Sequence, residues 1–167
     1  MHRSSVVSKI SSFLQKKLIT PLIDLLKQGI TPEKLALTLS IGIVLACFPL
    51  LGTTTTLCVF AAYFFRLNQV AIQIANYAAY PLQIVLMIPF FRMGEKIFGV
   101  VPASLNVTEI VTLFKNDPKG AVILYGMTGL RGAVAWAIVA PFAIFIFSKI
   151  FLIFIKKMPL PKIKNPD

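Results

Sequence analysis

Side chains able to do covalent or acid-base chemistry are scarce in this chain, and their placement narrows what it can do. The single histidine, His2, stands next to the first residue, which removes Ser/His/Asp and Cys/His nucleophiles and histidine-ligated metal sites. Six acidic residues are scattered, and none pairs with another at metal or acid/base spacing inside an uncharged run. Glu95 follows Arg92 by three residues, the spacing of a helical surface ion pair rather than of a catalytic dyad. Cys47 and Cys58 would lie about 16 Å apart on one helix, too far for a disulfide unless the chain folds back between them. No glycine-rich phosphate loop occurs. Neither an enzyme nor a bound cofactor or metal is expected.

What remains is a set of neutral polar groups inside apolar sequence: Thr53 to Thr56, Asn68, Gln69, Gln73, Asn76, Gln83, and Tyr63, Tyr77 and Tyr80, with Arg66 the nearest charge. The threonines follow a breaker in "FPLLGTTTT", Phe48 to Thr56. If Thr53 begins a half-helix after Gly52, its amide end carries partial positive charge, and Arg66 beside it would suit an anionic head group or carboxylate. The same groups serve equally as polar glue between helices, and threonines also bond back to carbonyls of the preceding turn.

The elements that must position these groups are membrane elements. Of 167 residues 57% are hydrophobic and only 14% charged, against roughly a quarter charged in soluble domains, and the mean hydropathy is +0.82. The expected fold class is an all-α integral membrane protein, a small helical bundle whose hydrophobic segments are broken by proline and glycine. The net charge of +11 gathers at both ends, as flanking charge around hydrophobic spans does, not as a basic stripe interleaved with aromatics. Nucleic acid is therefore excluded as a partner, and the lipid bilayer and its anionic lipids are expected instead.

Five stretches follow. Residues 1–29 read as basic amphipathic helical sequence. Residues 30–99 hold two broken hydrophobic segments. In "GITPEKLAL" Thr31 can cap a helix with Pro32 at its first position, and Leu35 to Phe65 then runs 31 residues without a charge. About 20 residues span the hydrocarbon, so Pro49 and Gly52 divide this run into either one kinked crossing or a re-entrant hairpin. Leu67 to Phe91 is interrupted again by Asn76 and Pro81, with Pro89 later. Paired broken segments point to a midplane transport site in repeat-built transporters. Residues 100–119 are a polar connector with a short amphipathic helix from Asn106 to before Pro118. Residues 120–157 are a C-terminal membrane segment, read as a span from Gly132 to Ile155 preceded by a shorter piece, Gly120 to Leu130. Residues 158–167 are a basic tail. Basic sequence at both termini places both in the cytoplasm of a multi-pass inner-membrane protein and requires an even number of crossings.

At these residues the sequence resembles an uncharacterised bacterial membrane family, the domain of unknown function 2062. Pro49, Gly52 and Thr55 match its proline, glycine and threonine-bearing turn; Arg66 and Asn68 its arginine-x-asparagine; Asn76 and Pro81 its asparagine with proline; Gly94 its later glycine. The resemblance is strong from about Gly29 to Gly99, and "NYAAYP", which separates residues adjacent in most members, marks a subgroup. Some relatives are fused to or accompany glycosyltransferases and lipid-modifying enzymes, which implies envelope lipid work. The expected function is binding or translocation of an anionic lipid or amphiphile, with Pro49, Gly52, Thr54, Thr55, Arg66, Asn68, Asn76 and Pro81 at the ligand or gating site. The alternative is a non-transporting scaffold for an envelope-synthesis enzyme, or a homo-oligomer, in which these residues serve packing only.

Overall fold

Local chemistry at the helix ends sets the framework. In the computed structural model, which describes Asp24 and residues 30–157, helix α1 (Pro32–Ala46) starts as the sequence predicts: Thr31 Oγ1 accepts from the Lys34 amide at 3.3 Å and Pro32 occupies the first turn. It ends at Cys47. Residues 48–53 then turn the chain through buried Pro49 and left-handed Gly52, φ +81°. Helix α2 (Thr54–Phe64) follows. Helices α3 (Gln69–Ala78) and α4 (Tyr80–Ile97) share Ala79 as a joint and bend by 65° there. Helix α5 (Val107–Asn116) is capped by Asn106, whose Oδ1 accepts from the Thr108 amide, and α6 (Pro118–Lys157) completes the described chain. No strand occurs among the described residues. The expected N-terminal amphipathic helix and the basic tail lie outside them, apart from Asp24.

Two expectations change. The break expected near Arg131 is absent: α6 runs 40 residues without interruption, through Arg131 and Pro141. Proline removes one ladder amide, but α6 packs along its length on α1 and α4, and these contacts hold it across the missing bond. Pro89 likewise sits inside α4. Asn76, expected in a break, is helical in α3; the joint falls three residues later.

α1 occupies the centre, against α6 on one side and α3 on the other. It runs antiparallel to α6. Ile155 packs with Leu35 and Ala36, and Lys156 Nζ pairs with Glu33 at 2.8 Å at one end; at the other, Trp136 Nε1 donates to the Val44 carbonyl at 3.0 Å. The Lys156 hydrogen bond holds the exposed Glu33 carboxyl below the usual carboxylate range. This tie therefore persists above that range and is lost as pH falls through the lowered value. α3 runs alongside α1 in the same direction, and Gly42 permits the approach: a Cβ there would lie 2.6 Å from the Ile72 carbonyl oxygen. α2 doubles back, so Arg66, Leu67 and Asn68 come beside Ile30, Thr31 and Lys34. α1 and α2 thus form a helical hairpin about 22 and 16 Å long, each short of a hydrocarbon thickness of about 30 Å.

α4 meets α6 backbone to backbone, Gly94 lying against Arg131 and Gly132. Glu95, expected in a surface pair, is 1% exposed and clamps the connector. Its Oε1 accepts from the Ala103 amide at 2.8 Å, while Arg92 Nη1 donates to Glu95 Oε2 at 2.9 Å and to the Ala103 carbonyl at 3.0 Å. Tyr125 on α6 donates to the Ser104 carbonyl and stacks on Phe114 of α5, which seats the connector helix. By length and composition α6 is the one described helix able to cross a membrane alone, and α3 with α4 forms a bent pair that passes together.

Candidate functional site

The polar residues singled out in the sequence separate into two places at opposite ends of the α1–α2 hairpin. Pro49, Gly52, Thr54, Thr55 and Asn76 gather about the turn, where Pro81 begins α4 beside Ile43 of α1. Arg66 and Asn68 do not. Arg66 follows the far end of α2, about 16 Å along its 11 residues from Thr54. The expected pairing of Arg66 with the threonines fails because the hairpin carries it back to the start of α1.

At the turn, irregular backbone is satisfied by side chains from other helices, as buried breaks require. Gln83 of α4, fully buried, donates from Nε2 to the Phe48 carbonyl at 2.7 Å and more weakly to that of Leu50 at 3.4 Å. Thr53 Oγ1 donates to the Leu50 carbonyl at 2.8 Å. Trp136 of α6 holds the last turn of α1 and packs edge-on against Phe48, ring centroids 5.0 Å apart. Thr54 is buried at the start of α2, whereas Thr55 and Thr56 are exposed. A short amide chain lies beside it: Gln73 Nε2 donates to the Thr55 carbonyl at 3.2 Å, and Asn76 Nδ2 donates to Gln73 Oε1 at 3.3 Å. Thr38 and Ser40 in α1 are also buried but bond back to the carbonyls of Lys34 and Ala36. They are self-contained.

The importance of Gln83 and Trp136 was not evident from the sequence. One signal existed: the only tryptophan stands in an otherwise aliphatic stretch, and a buried indole N–H needs an acceptor. Gln83→Leu strips the Phe48 carbonyl of its donor, a cost of about 1–3 kcal/mol that removal of the unpaired Gln83 Oε1 offsets in part, so we expect a net loss of about 0.5–1.5 kcal/mol. Thermal unfolding in detergent checks this, and an unchanged midpoint would show that water replaces the amide freely.

At the other end, Arg66, Lys34, Thr31 and Asn68 line an open pocket of about 410 Å³ with Ile30 and Leu67. Two helix N-termini open into it, since Thr31 caps α1 and Asn68 caps α3, accepting from the Ala71 amide at 2.9 Å. Asn68 spends its carbonyl oxygen on the cap, which leaves its NH₂ group as a donor. Two cations and two positive helix ends on one pocket favour an anion.

The backbone of Arg66 adds an independent point. It has φ +51°, the only positive φ of a non-glycine among the described residues. Its position is the left-handed residue of a Schellman motif: the Leu67 amide bonds the Ala62 carbonyl at 2.8 Å and the Arg66 amide that of Tyr63 at 3.3 Å. α4 ends in the same motif, the Val100 amide on Glu95 and the Gly99 amide on Lys96, and there the left-handed residue is glycine, φ +61°. Arginine thus stands where this chain elsewhere uses glycine.

Cys47 and Cys58 are both buried and free, although the chain folds back between them. Among the described residues no group of histidine, cysteine and carboxylate side chains is placed to hold a metal ion.

Comparison with curated proteins and with solved structures finds no match to this chain. A family described as an uncharacterized protein conserved in bacteria, DUF2062, matches residues 16–158. The Gly94 contact with α6, the Pro49–Gly52 turn and the Arg66–Asn68 corner, on which the resemblance rests, each have a structural place in this fold, and the chain belongs to that family.

Proposed function

We propose that the chain is a multi-pass protein of the bacterial inner membrane that binds an anionic lipid or amphiphile head group at the Arg66 pocket and assists its passage across the bilayer. The observation that carries this reading is Arg66 itself: a residue held in a conformation costing about 1–2 kcal/mol for a side-chain-bearing residue, at the mouth of a doubly cationic pocket. Membrane placement is supported by surface chemistry. Only 11% of the most apolar window of α6 is buried, unlike the core helix of a soluble protein, and α2 exposes Phe60, Tyr63 and Phe64 in a row that hydrocarbon would cover. Lys34, Arg66, Lys156 and Lys157 cluster at one end of the bundle, which the positive-inside rule assigns to the cytoplasm. The α1–α2 hairpin, too short to cross, then enters and returns on that side, with α3 and α4 as the second broken segment.

Native mass spectrometry of the protein released from nanodiscs tests the binding step. From an equimolar mixture of phosphatidylglycerol and phosphatidylcholine, we expect retained lipid to be enriched about tenfold in the anionic species, the worth of one charge-assisted contact. Equal retention would end this reading and leave the polar residues with packing alone.

A further inference from the structure

The turn carries a second property that the anion pocket does not use: two buried acceptors without donors. Asn76 Oδ1 and Gln83 Oε1 are each shielded from solvent and have no hydrogen-bond partner among the described residues. Amide orientation does not remove them. The Phe48 and Leu50 carbonyls can only accept, so Gln83 must present Nε2 to them and turn Oε1 away. The Thr55 carbonyl likewise fixes Gln73 with Nε2 outward, which makes its Oε1 accept from Asn76 Nδ2 and forces Asn76 Oδ1 to be the orphan. Flipping any amide would set two acceptors face to face. Gln83 sits directly on the turn through the Phe48 and Leu50 carbonyls, and Asn76 is linked to the Thr55 carbonyl at its end through Gln73.

We propose that this turn binds a monovalent cation of the sodium class, held by the carboxamide oxygens of Asn76 and Gln83 and by carbonyls of the broken backbone. A buried acceptor without a donor costs about 1–3 kcal/mol, and two of them linked to one turn mark a place completed by something electropositive. Helix ends of both signs meet here, α1 and α3 ending beside each other at Ile43 and Ala78 while α2 and α4 begin at Thr54 and Tyr80, so their partial charges largely offset. Among the described residues no lysine or arginine donates to either acceptor: Arg131 is two residues from Gly129, which contacts Leu50, and therefore lies on the opposite side of α6, against Phe98 and Val100. Hard monovalent cations take neutral oxygen ligands at helix breaks, where unwound carbonyls and half-helix C-termini coordinate them.

The test uses the full chain in detergent at constant ionic strength, with sodium, potassium or N-methylglucamine as the cation. Thermal unfolding followed by Trp136, which sits on the turn and is the only tryptophan, reads the site directly. We expect sodium to raise the midpoint by about 5–10 °C over N-methylglucamine, as a ligand about a hundredfold above its dissociation constant does. Asn76→Leu should abolish the increment. Because that variant could fold poorly, Asn76→Asp is the companion; its carboxylate should lower the half-saturating sodium concentration about tenfold, one added charge contact. Identical midpoints in all three cations, or an increment unchanged in both variants, would overturn the proposal and assign the acceptors to ordered water. Arg66 lies outside this site, so Arg66→Gly should keep the sodium increment whether or not the lipid reading holds.

Discussion

Gly94→Val is expected to leave little folded protein, and Gly94→Ala to lower the unfolding midpoint by about 6–12 °C. A Cβ at Gly94 runs into the backbone of Arg131 and Gly132, so no rotamer change can make room. Overpacking costs about 1–3 kcal/mol when side chains can yield; here two helix backbones must separate, which places alanine at the top of that range. With about 2–4 °C lost per kcal/mol in a chain of this size, the shift follows. Against a total stability of about 5–15 kcal/mol, the two further methyl groups of valine exhaust most of what holds α4 to α6. Gly126 on α6 supplies the control: an added Cβ meets nothing among the described residues, so Gly126→Ala should stabilise by about 0.5–1 kcal/mol through helix propensity alone. Differential scanning fluorimetry of the three variants beside the parent decides it. Similar midpoints for Gly94→Ala and Gly126→Ala would mean that the α4–α6 approach is looser than its geometry.

The contrast between these two glycines shows what the sequence made legible. Helix ends are local chemistry, and they could be read: Thr31 with Pro32, Asn106 before α5, and the Pro49–Gly52 turn all act within four residues of themselves. The break expected at Arg131 does not occur because a charged residue does not itself end a helix, and the partner that covers its backbone there, Gly94 of α4, lies far away in sequence. The candidate site was half legible for the same reason. Residue types marked Arg66 and the threonines as a polar set, but which end of the hairpin each occupies depends on α2 turning back, and no spacing rule encodes that direction. Glu95 is the clearest case. Its three-residue spacing from Arg92 is right and the pair forms, yet its burial follows from the connector folding over it to reach Ala103.

Arg66→Gly should separate function from stability by moving them in opposite directions. The left-handed position ends α2 in a Schellman motif, and glycine fills the same position after α4 without strain. Glycine at 66 therefore relieves about 1–2 kcal/mol of backbone cost and gives back about 0.4–1 kcal/mol through the freer unfolded chain, for a net gain of about 0.5–1 kcal/mol. A residue kept only for folding would not be arginine. The same change removes the guanidinium from a pocket where Lys34 and the caps of α1 and α3 remain. Loss of one charge-assisted contact to an anionic head group, about 1.5–3 kcal/mol, weakens binding about ten- to a hundredfold. Arg66→Lys keeps the charge without the planar fork and should fall between, still strained. The measurements are a thermal midpoint and a titration of phosphatidylglycerol in nanodiscs on the same preparations. A more stable protein that binds as well as the parent would strip Arg66 of its role, whereas a less stable one would mean that the guanidinium holds the fold through contacts outweighing its strained backbone.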